Sequence, residues 1–385
     1  MDKNQFFSAR LALFACITCS SVFCNITKAA TIPAQLTTTI GQNYVQKIYT
    51  DSHATGVAMV IVSGNKQLFF SAGQSQPGSV FPPTKHSLVR IASLTKLFTN
   101  EVMVKLSTEN KVKLTDPLAK YLRHTLPIPT KSGHAIRLID LATHSAGLPR
   151  EMPGGKAHRP VFIWPTENQR LHWIQHTQLK SVPGAVASYS NIGYDLLADA
   201  LQNAAGMPWS QLLKKQVTQP LQMHDTTYQP TAEQCARLLI PRHSSSPCLT
   251  TKAAIGSGGL YSTPDDMGRW LQQFLPASVN YSPLSAQLIR PIYRRDQLVA
   301  VRGMDVAGHA DALGLGWVML AANDTHPAMV EKTGGGGGFF TYIAMVPQQN
   351  IAVFVAVTRT SASNFSAMSN NVNLLVTELI NNRPG

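Results

Sequence analysis

The sequence lacks several motifs that would point directly to a function. No G-x-S-x-G elbow occurs, which disfavours an α/β-hydrolase esterase. His172 and His176 stand one helical turn apart in "LHWIQH", but no HExxH pattern or third ligand accompanies them. A surface pair on a helix is therefore favoured over a metal site. No nucleic-acid-binding motif and no interleaving of aromatic and basic residues is found, so no nucleic acid partner is expected.

Charge and internal repetition are also scarce. Only 14 % of the 385 residues are charged, and no internal repeat is found. The apolar content suffices for a sizeable core, and the length suggests two domains or one large α/β domain with an insertion.

The first 29 residues resemble a cleaved secretory signal. Lys3 and Arg10 form a basic segment, and residues 11–24 are an uncharged stretch of 14 residues, too few to span a bilayer comfortably. Residues 27–29 then offer small side chains at the two positions that a signal peptidase reads. We expect export, with 30–385 as the mature chain; a retained anchor is the alternative.

Cysteine is rare, and its distribution is informative. Three of the five cysteines (Cys16, Cys19 and Cys24) lie in the expected signal. Cys235 and Cys248 remain as an even pair in an exported protein, so we expect a disulfide between them. A pair of buried thiols is the alternative.

Acidic residues are outnumbered by basic ones, 20 to 33, which gives a formal net charge of +13. Without residues 1–29, which carry three basic residues and one acidic residue, the charge is +11. A basic exported protein is suited to an acidic neighbour, either a phospholipid surface or a carboxylate-rich cell-wall polymer. If the acidic neighbour is a phospholipid surface, peripheral association with the inner membrane is expected. Solubility alone explains the charge equally well.

The hydrophobic pattern predicts strands at both ends of the mature chain and helices between them. Strand pairs are predicted at 56–73 and 339–359, and helices at 34–50, 100–113, 167–180, 192–206, 264–275 and 364–381. The fold class is therefore α/β (α+β), with one antiparallel sheet built from both termini (about 30–95 and 310–385). A mostly helical insertion (about 96–309) would leave a ligand cleft between the two parts.

Ser93 and Lys96 stand three residues apart in the apolar segment "VRIASLTKLFTN". On a helix they share a face, so the Lys96 ammonium can reach the Ser93 hydroxyl. A serine needs a base to become a nucleophile, and a lysine becomes that base when burial or a nearby positive charge lowers its pKa. The alternative is a helix-capping serine with a snorkelling lysine. A second such spacing, Ser63 to Lys66, falls in a hairpin turn and is taken as accidental.

Two further stretches carry chemically useful side chains. In "SYSN", Tyr189 could share the proton transfer, and Asn191 offers a donor and acceptors for a substrate amide and for Lys96. In "EKTGGGGGFFTY", the lysine precedes the glycines, so a Walker phosphate loop is excluded. We interpret the glycines as a strand against which a ligand lies, with Lys332 and Thr333 facing an anionic group.

Ser-x-x-Lys, Tyr-x-Asn and Lys-Thr-Gly in this order resemble the class C β-lactamase and low-molecular-mass penicillin-binding protein family. The resemblance covers essentially the whole mature chain, including "VKLTDPLAKYL", "LATHSAGLPREMPGG" and "AAIGSGGLYSTPDDMGRW". It implies a serine β-lactamase-like fold, with Ser93 as nucleophile and Lys96 and Tyr189 as its proton-handling partners. His144, in the second of these segments, is expected to organise structure.

The same resemblance assigns the substrate contacts. Asn191 would orient the substrate, and Lys332, Thr333 and Gly334 would bind it, the first two receiving its carboxylate. The backbone amides of the nucleophile and of Gly335 would form the oxyanion hole. No cofactor and no metal is implied.

Within the family, "HRPVFIWP", "DALGLGW" and "KTGGGGGFFTYIAMVPQ" are most similar to a periplasmic D-alanyl-D-alanine carboxypeptidase and endopeptidase. The implied substrates are peptidoglycan muropeptides, and the implied additional ligands are β-lactam antibiotics, hydrolysed slowly at most. Two alternatives stay open: a class C β-lactamase, and a non-catalytic penicillin-binding or wall-sensing protein that stays acylated. The five-glycine run counts against a dedicated antibiotic hydrolase.

Overall fold

The computed structural model describes residues 34–122, 127–155 and 160–382. The expected signal at 1–29 lies outside these residues. Within them, no helix is both long enough and apolar enough to cross a membrane.

The described residues form helices and strands with the following bounds. The helices are α1 Ala34–Asp51, α2 Thr95–Thr108, α3 Leu138–Ala142, α4 Glu167–Ile174, α5 Asn191–Ala205, α6 Trp209–Leu213, α7 Ala232–Ala236, α8 Pro264–Gln272, α9 Ser285–Ile289 and α10 Phe365–Asn381. The strands are β1 Gly56–Ser63, β2 Lys66–Gly73, β3 Val89–Arg90, β4 Thr130–Lys131, β5 His134–Ala135, β6 Val186–Ser188, β7 Tyr261–Ser262, β8 Tyr293–Arg294, β9 Ala300–Arg302, β10 Ala312–Leu313, β11 Val318–Leu320, β12 Met329–Gly336, β13 Phe339–Val346 and β14 Ile351–Thr358.

Eight strands form one antiparallel sheet in the order β2-β1-β14-β13-β12-β11-β10-β8. The N-terminal hairpin joins the C-terminal strands through β1 and β14, which pair from Gly56 with Thr358 to Ser63 with Ile351. Both strands are rich in valine and isoleucine, whose branched side chains favour a pleated surface packed on its faces. The α/β class with one antiparallel sheet from both termini is confirmed.

The sheet is covered on both faces, so its strands are apolar on both sides. In β1, Val57 and Met59 point into a core shared with α1 and α10, including Val372. The alternate residues Ala58 and Val60 point into the larger core shared with α2, α5 and α8. This alternation follows from the two-residue period of a strand. Helices α2, α5 and α8 therefore lie against one face of the sheet, and α1 and α10 lie against the other.

Two predicted helices end more than one helical turn earlier than expected. The helix predicted over 100–113 ends at Thr108, and Asn110 then adopts a left-handed conformation with φ 57°. The helix predicted over 167–180 ends at Ile174. Beyond it, the Lys180 amide donates to the Gly147 carbonyl at 2.8 Å. A tertiary hydrogen bond thus takes the place of a further helical turn.

Cys235, in α7, is joined to Cys248 by a disulfide. The loop between them is tied to β3, because the Arg90 guanidinium donates to the carbonyl oxygens of Ser246 (3.1 Å) and Pro247 (2.6 Å). Arg90 is buried and lies three residues before Ser93. The disulfide loop therefore supports the strand that leads to the expected nucleophile.

We expect a Cys235–Cys248 bridge in protein exported to an oxidising compartment, detectable by non-reducing peptide mapping. Replacing both cysteines by serine should lower the free energy of unfolding by up to about 3 kcal/mol, since the bridge closes a loop of only 13 residues' separation. Mapping that finds two free thiols would contradict the pairing.

Candidate active site

Ser93 lies on a tight turn between β3 and α2. Ala92, just before it, has φ 47°, a left-handed conformation that costs a non-glycine residue about 1 kcal/mol or more. Neighbouring bonds hold the turn: the Ile91 amide donates to the Leu260 carbonyl at 3.1 Å, and the Thr341 hydroxyl donates to the Ile91 carbonyl at 3.0 Å. The turn is thus fixed by two separate parts of the fold.

Lys96, in the first turn of α2, is completely buried. Its ammonium donates to the Ser93 hydroxyl at 3.3 Å, to the Asn191 side-chain oxygen at 2.7 Å and to the Ser257 carbonyl at 2.6 Å. An ammonium has three donors, and each has a partner here. The structure therefore brings three of the residues that carry the motifs into direct contact.

Burial lowers the pKa of Lys96 from its usual value to about 7. The carboxylates of Asp195 and Glu151 oppose this shift, and the Arg150 guanidinium adds to it. Asp195 is itself buried and accepts hydrogen bonds from the Ser257 amide (2.9 Å) and hydroxyl (3.0 Å). It thereby fixes the segment whose carbonyl holds Lys96. A pKa near neutrality leaves a substantial fraction of Lys96 as a neutral amine, able to accept a proton.

Tyr189 follows the short strand β6, and three cations surround its ring. The Lys96 and Lys332 ammonium groups lie 4.8 Å and 5.1 Å from the ring centroid, and the Arg150 guanidinium carbon lies at 4.8 Å. The ring of His144 stacks on it at 4.4 Å. The Tyr189 ring thus packs directly against the ammonium group of Lys96, the candidate base.

His144 is buried, and burial together with Lys332 and Lys96 holds its pKa well below the usual value. Its Nδ1 accepts a hydrogen bond from the backbone amide of Ser190, the residue after Tyr189, at 3.0 Å. The ring therefore stays neutral and fixes the position of the tyrosine. This agrees with its expected role in organising structure.

The segment 332–336 forms an open edge of the sheet. Strand β12 pairs with β13 along its whole C-terminal half, but its pairing with β11 stops at Glu331. The backbone beyond Glu331 can therefore add an extended ligand as a further strand. Lys332 itself is only 2 % exposed, and its pKa is lowered by burial and by the like charge of Lys96.

The glycines of the run 334–338 do not all serve the same purpose. A methyl group on Gly334 would collide with the Thr341 hydroxyl and lie 2.9 Å from the Ile91 carbonyl oxygen. Gly337 and Gly338 form the β12–β13 turn with φ 59° and 84°, which favours glycine. The missing side chain at Gly334 thus admits the turn that carries the nucleophile, whereas we had expected it to admit a ligand.

One pocket unites most of these groups. It is lined by five residues of the predicted set, namely Ser93, Tyr189, Thr333, Gly334 and Gly335. Five further residues complete it: Arg150, Gly303, Val306, Phe340 and Phe365. Lys96, Asn191 and Lys332 do not line it, and both lysines are buried.

Several residues that the structure places in the site belong to none of the three motifs. Glu151 accepts a hydrogen bond from the Asn191 side-chain nitrogen, which leaves the Asn191 oxygen turned toward Lys96. Asp195 and Ser257 act through the contacts described above. Arg150 and Glu151 lie in a segment that was singled out only for its family likeness. The His172 and His176 rings are 4.8 Å apart, and within the described ranges no group of three candidate metal ligands occurs.

The comparisons with known proteins agree with this geometry. The sequence profile of the beta-lactamase family matches residues 42–376. The chain is 49 % identical over 377 residues to the D-alanyl-D-alanine-carboxypeptidase/endopeptidase AmpH of Escherichia coli (strain K12), covering 97 % of this chain and 98 % of that protein. It is 25 % identical over 337 residues to a beta-lactamase of the same strain, covering 79 % and 84 %.

Two crystal structures extend the comparison. A beta-lactamase/D-alanine carboxypeptidase from Yersinia pestis, complexed with citrate, has a TM-score of 0.87 at 51 % identity and covers 90 % of this chain and 99 % of its own. A class C beta lactamase from Rhodobacter sphaeroides has a TM-score of 0.69 at 18 % identity, covering 87 % and 98 %, and supports the fold alone. The resemblance indicated by the three motifs is confirmed.

Gly334→Ala should slow covalent labelling by a fluorescent penicillin by about 100-fold or more, because the added methyl group displaces the Ser93 turn. Gly78→Ala is the control: among the described residues no heavy atom lies within 4 Å of a methyl group there, and Gly78 does not line the pocket, so near-normal labelling is expected. Equal rates in the two variants would show that Gly334 does not position the nucleophile.

Proposed function

Because the chain belongs to the beta-lactamase family, we propose that it is a serine D,D-peptidase of peptidoglycan. It removes the terminal D-alanine of stem peptides and cuts D-Ala–diaminopimelate cross-links. The observation that carries this proposal is the buried Lys96, whose ammonium contacts the Ser93 hydroxyl at a pKa lowered to about 7. The 49 % identity to a carboxypeptidase/endopeptidase over 97 % of the chain favours a peptidase over a β-lactamase.

Acylation begins with proton transfer from the Ser93 hydroxyl to neutral Lys96. The serine oxygen bonds to the D-alanyl carbonyl carbon, and the backbone amides of Ser93 and Gly335 stabilise the oxygen that becomes negative. The proton then passes by way of Tyr189 to the leaving nitrogen as the carbon–nitrogen bond breaks. The leaving group is D-alanine or, in a cross-link, the acceptor stem peptide, whose diaminopimelate amino group takes up that proton.

Deacylation reverses these roles. Water attacks the ester carbonyl, gives up a proton to the Lys96–Tyr189 pair, and displaces the serine oxygen, which regains a hydrogen. The products are a shortened stem peptide and free Ser93. β-Lactams would acylate the same serine because their amide resembles the scissile bond, with hydrolysis slower than peptide cleavage.

One site can serve both peptide substrates. The carboxylate of a terminal D-alanine lies one carbon beyond the scissile nitrogen, and the D-centre of a diaminopimelate acceptor carries its carboxylate at the same place. The Thr333 hydroxyl at the strand edge and the positive charge of Lys332 beside it favour an anion there. Glycine at 335 keeps a side chain out of the pocket, which leaves room for the larger acceptor.

We further propose that the protein is exported by a cleaved signal and works in the periplasm. The net charge of +11 that remains without residues 1–29 would favour the anionic wall polymer or a peripheral position on the inner membrane. Cell fractionation, which separates the soluble periplasm from the membranes, distinguishes these two positions.

Incubation of the purified protein with muropeptides, followed by mass analysis, tests the function. Wild-type protein should release D-alanine from pentapeptides and monomers from cross-linked dimers, and Ser93→Ala should abolish both, together with penicillin labelling. Rapid cephalosporin turnover with intact muropeptides would support the β-lactamase alternative. Stable labelling without any turnover would support a sensing protein.

The rate of Ser93 acylation, measured as kcat/KM on a pentapeptide, should fall as the pH drops below about 7. The reason is that the protonated form of Lys96, which dominates below its pKa, cannot accept the serine proton. Lys96→Ala should lower the rate by about 10²–10⁴ and remove this acidic limb. An unchanged limb in the variant would assign the titration to another group.

A further inference from the structure

The pocket at the strand edge contains an arginine that no motif predicted. Of the ten residues that line it, Arg150 is the one that carries a charge. Its side chain is exposed, whereas Lys332 is 2 % exposed and lies behind the pocket wall. A carboxylate entering from solvent therefore meets the Arg150 guanidinium before it meets Lys332.

Arg150 is held in place by its backbone. Its carbonyl accepts the Asn191 amide at 2.8 Å, and the preceding Pro149 carbonyl accepts the Ser190 hydroxyl at 2.7 Å. Both bonds join the loop to the start of α5, which also carries the Asn191 side chain. The base of the side chain is thus fixed relative to the catalytic groups, which reduces the entropy lost when it binds a ligand.

The guanidinium itself lies at the reacting end of the pocket. Its central carbon is 4.8 Å from the Tyr189 ring centroid, and one of its nitrogens would be 4.0 Å from a methyl group on Gly303. Among the charged groups that the structure describes, none forms an ion pair with it within 4.0 Å. Its donors are therefore free of a competing carboxylate.

We propose that Arg150 binds the carboxylate of the leaving D-residue, an inference that rests on the D,D-peptidase function proposed above. In a pentapeptide this is the terminal D-alanine, and in a cross-link it is the D-centre of diaminopimelate. The planar guanidinium can donate two parallel hydrogen bonds to one carboxylate. Thr333, in the same pocket, supplies a further hydroxyl, and Lys332 contributes positive charge from behind.

The position of Arg150 makes this contact relevant to specificity. Tyr189 has to deliver a proton to the leaving nitrogen, and the carboxylate is one carbon away from that nitrogen. A guanidinium beside the Tyr189 ring would therefore hold the leaving residue with its nitrogen near the phenol. The contact selects peptides that end in a free acid over those that end in an amide.

A test compares two substrates, a stem pentapeptide ending in D-Ala-D-Ala and the same peptide with a C-terminal carboxamide. Wild-type protein should prefer the acid. Arg150→Gln should lower kcat/KM on the acid by about 10–100-fold more than on the amide, the range expected for a hydrogen bond to a charged group. Arg150→Lys should restore part of the preference, and cleavage of cross-linked dimers should fall with that of the acid.

Arg290→Gln is the matched control, since it removes the same charge from an exposed arginine at the end of α9, outside the pocket. Equal loss on acid and amide in Arg150→Gln would indicate a structural role and overturn the inference. An acid preference that survives Arg150→Gln but disappears in Lys332→Met would also overturn it. A wild-type protein that cleaves neither peptide would overturn the proposed function itself.

Discussion

The site depends on the burial of one ammonium group, that of Lys96. Desolvation disfavours its charged form, and the protein compensates by giving all three donors an acceptor: Ser93, Asn191 and Ser257. These acceptors come from three separate parts of the chain. The packing that assembles them also keeps water away from Lys96 and lowers its pKa, so the protonation of this lysine is tied to the integrity of the fold around it.

The sheet imposes the second constraint, through the contact between β12 and the nucleophile's turn. Gly334 lets the strand approach the Ile91 carbonyl, and Thr341 on the adjacent strand bonds to the same carbonyl at 3.0 Å. The left-handed Ala92 is thereby held from the sheet side, and Leu260 holds it from the helical side. Strand edge and serine are therefore set at a fixed spacing, as an oxyanion hole with one amide from each would require.

Sequence reasoning could reach Ser93, Lys96 and the sheet because their signals are local: a three-residue spacing and a two-residue alternation of apolar residues. It could not reach Asp195 or Glu151, whose roles arise from contacts made 62 and 40 residues away along the chain. It also misread Gly334, because a close approach between two backbone segments leaves no trace in composition. Local patterns thus pointed to the side chains that the structure brings together, while the groups that position them required the fold.

Lys96 and Lys332 are both buried, but we propose different parts for them in the chemistry. Lys96 bonds to neutral acceptors next to the serine and has a pKa lowered to about 7, so it can cycle between its two forms. Lys332 approaches the Tyr189 ring from the sheet side, and its ammonium makes a cation–π contact with that ring. Tyr189 lies between them, and Arg150 adds a third cation on the solvent side. The structure thus gathers three cations around the ring of Tyr189, the residue that we propose carries the proton to the leaving nitrogen.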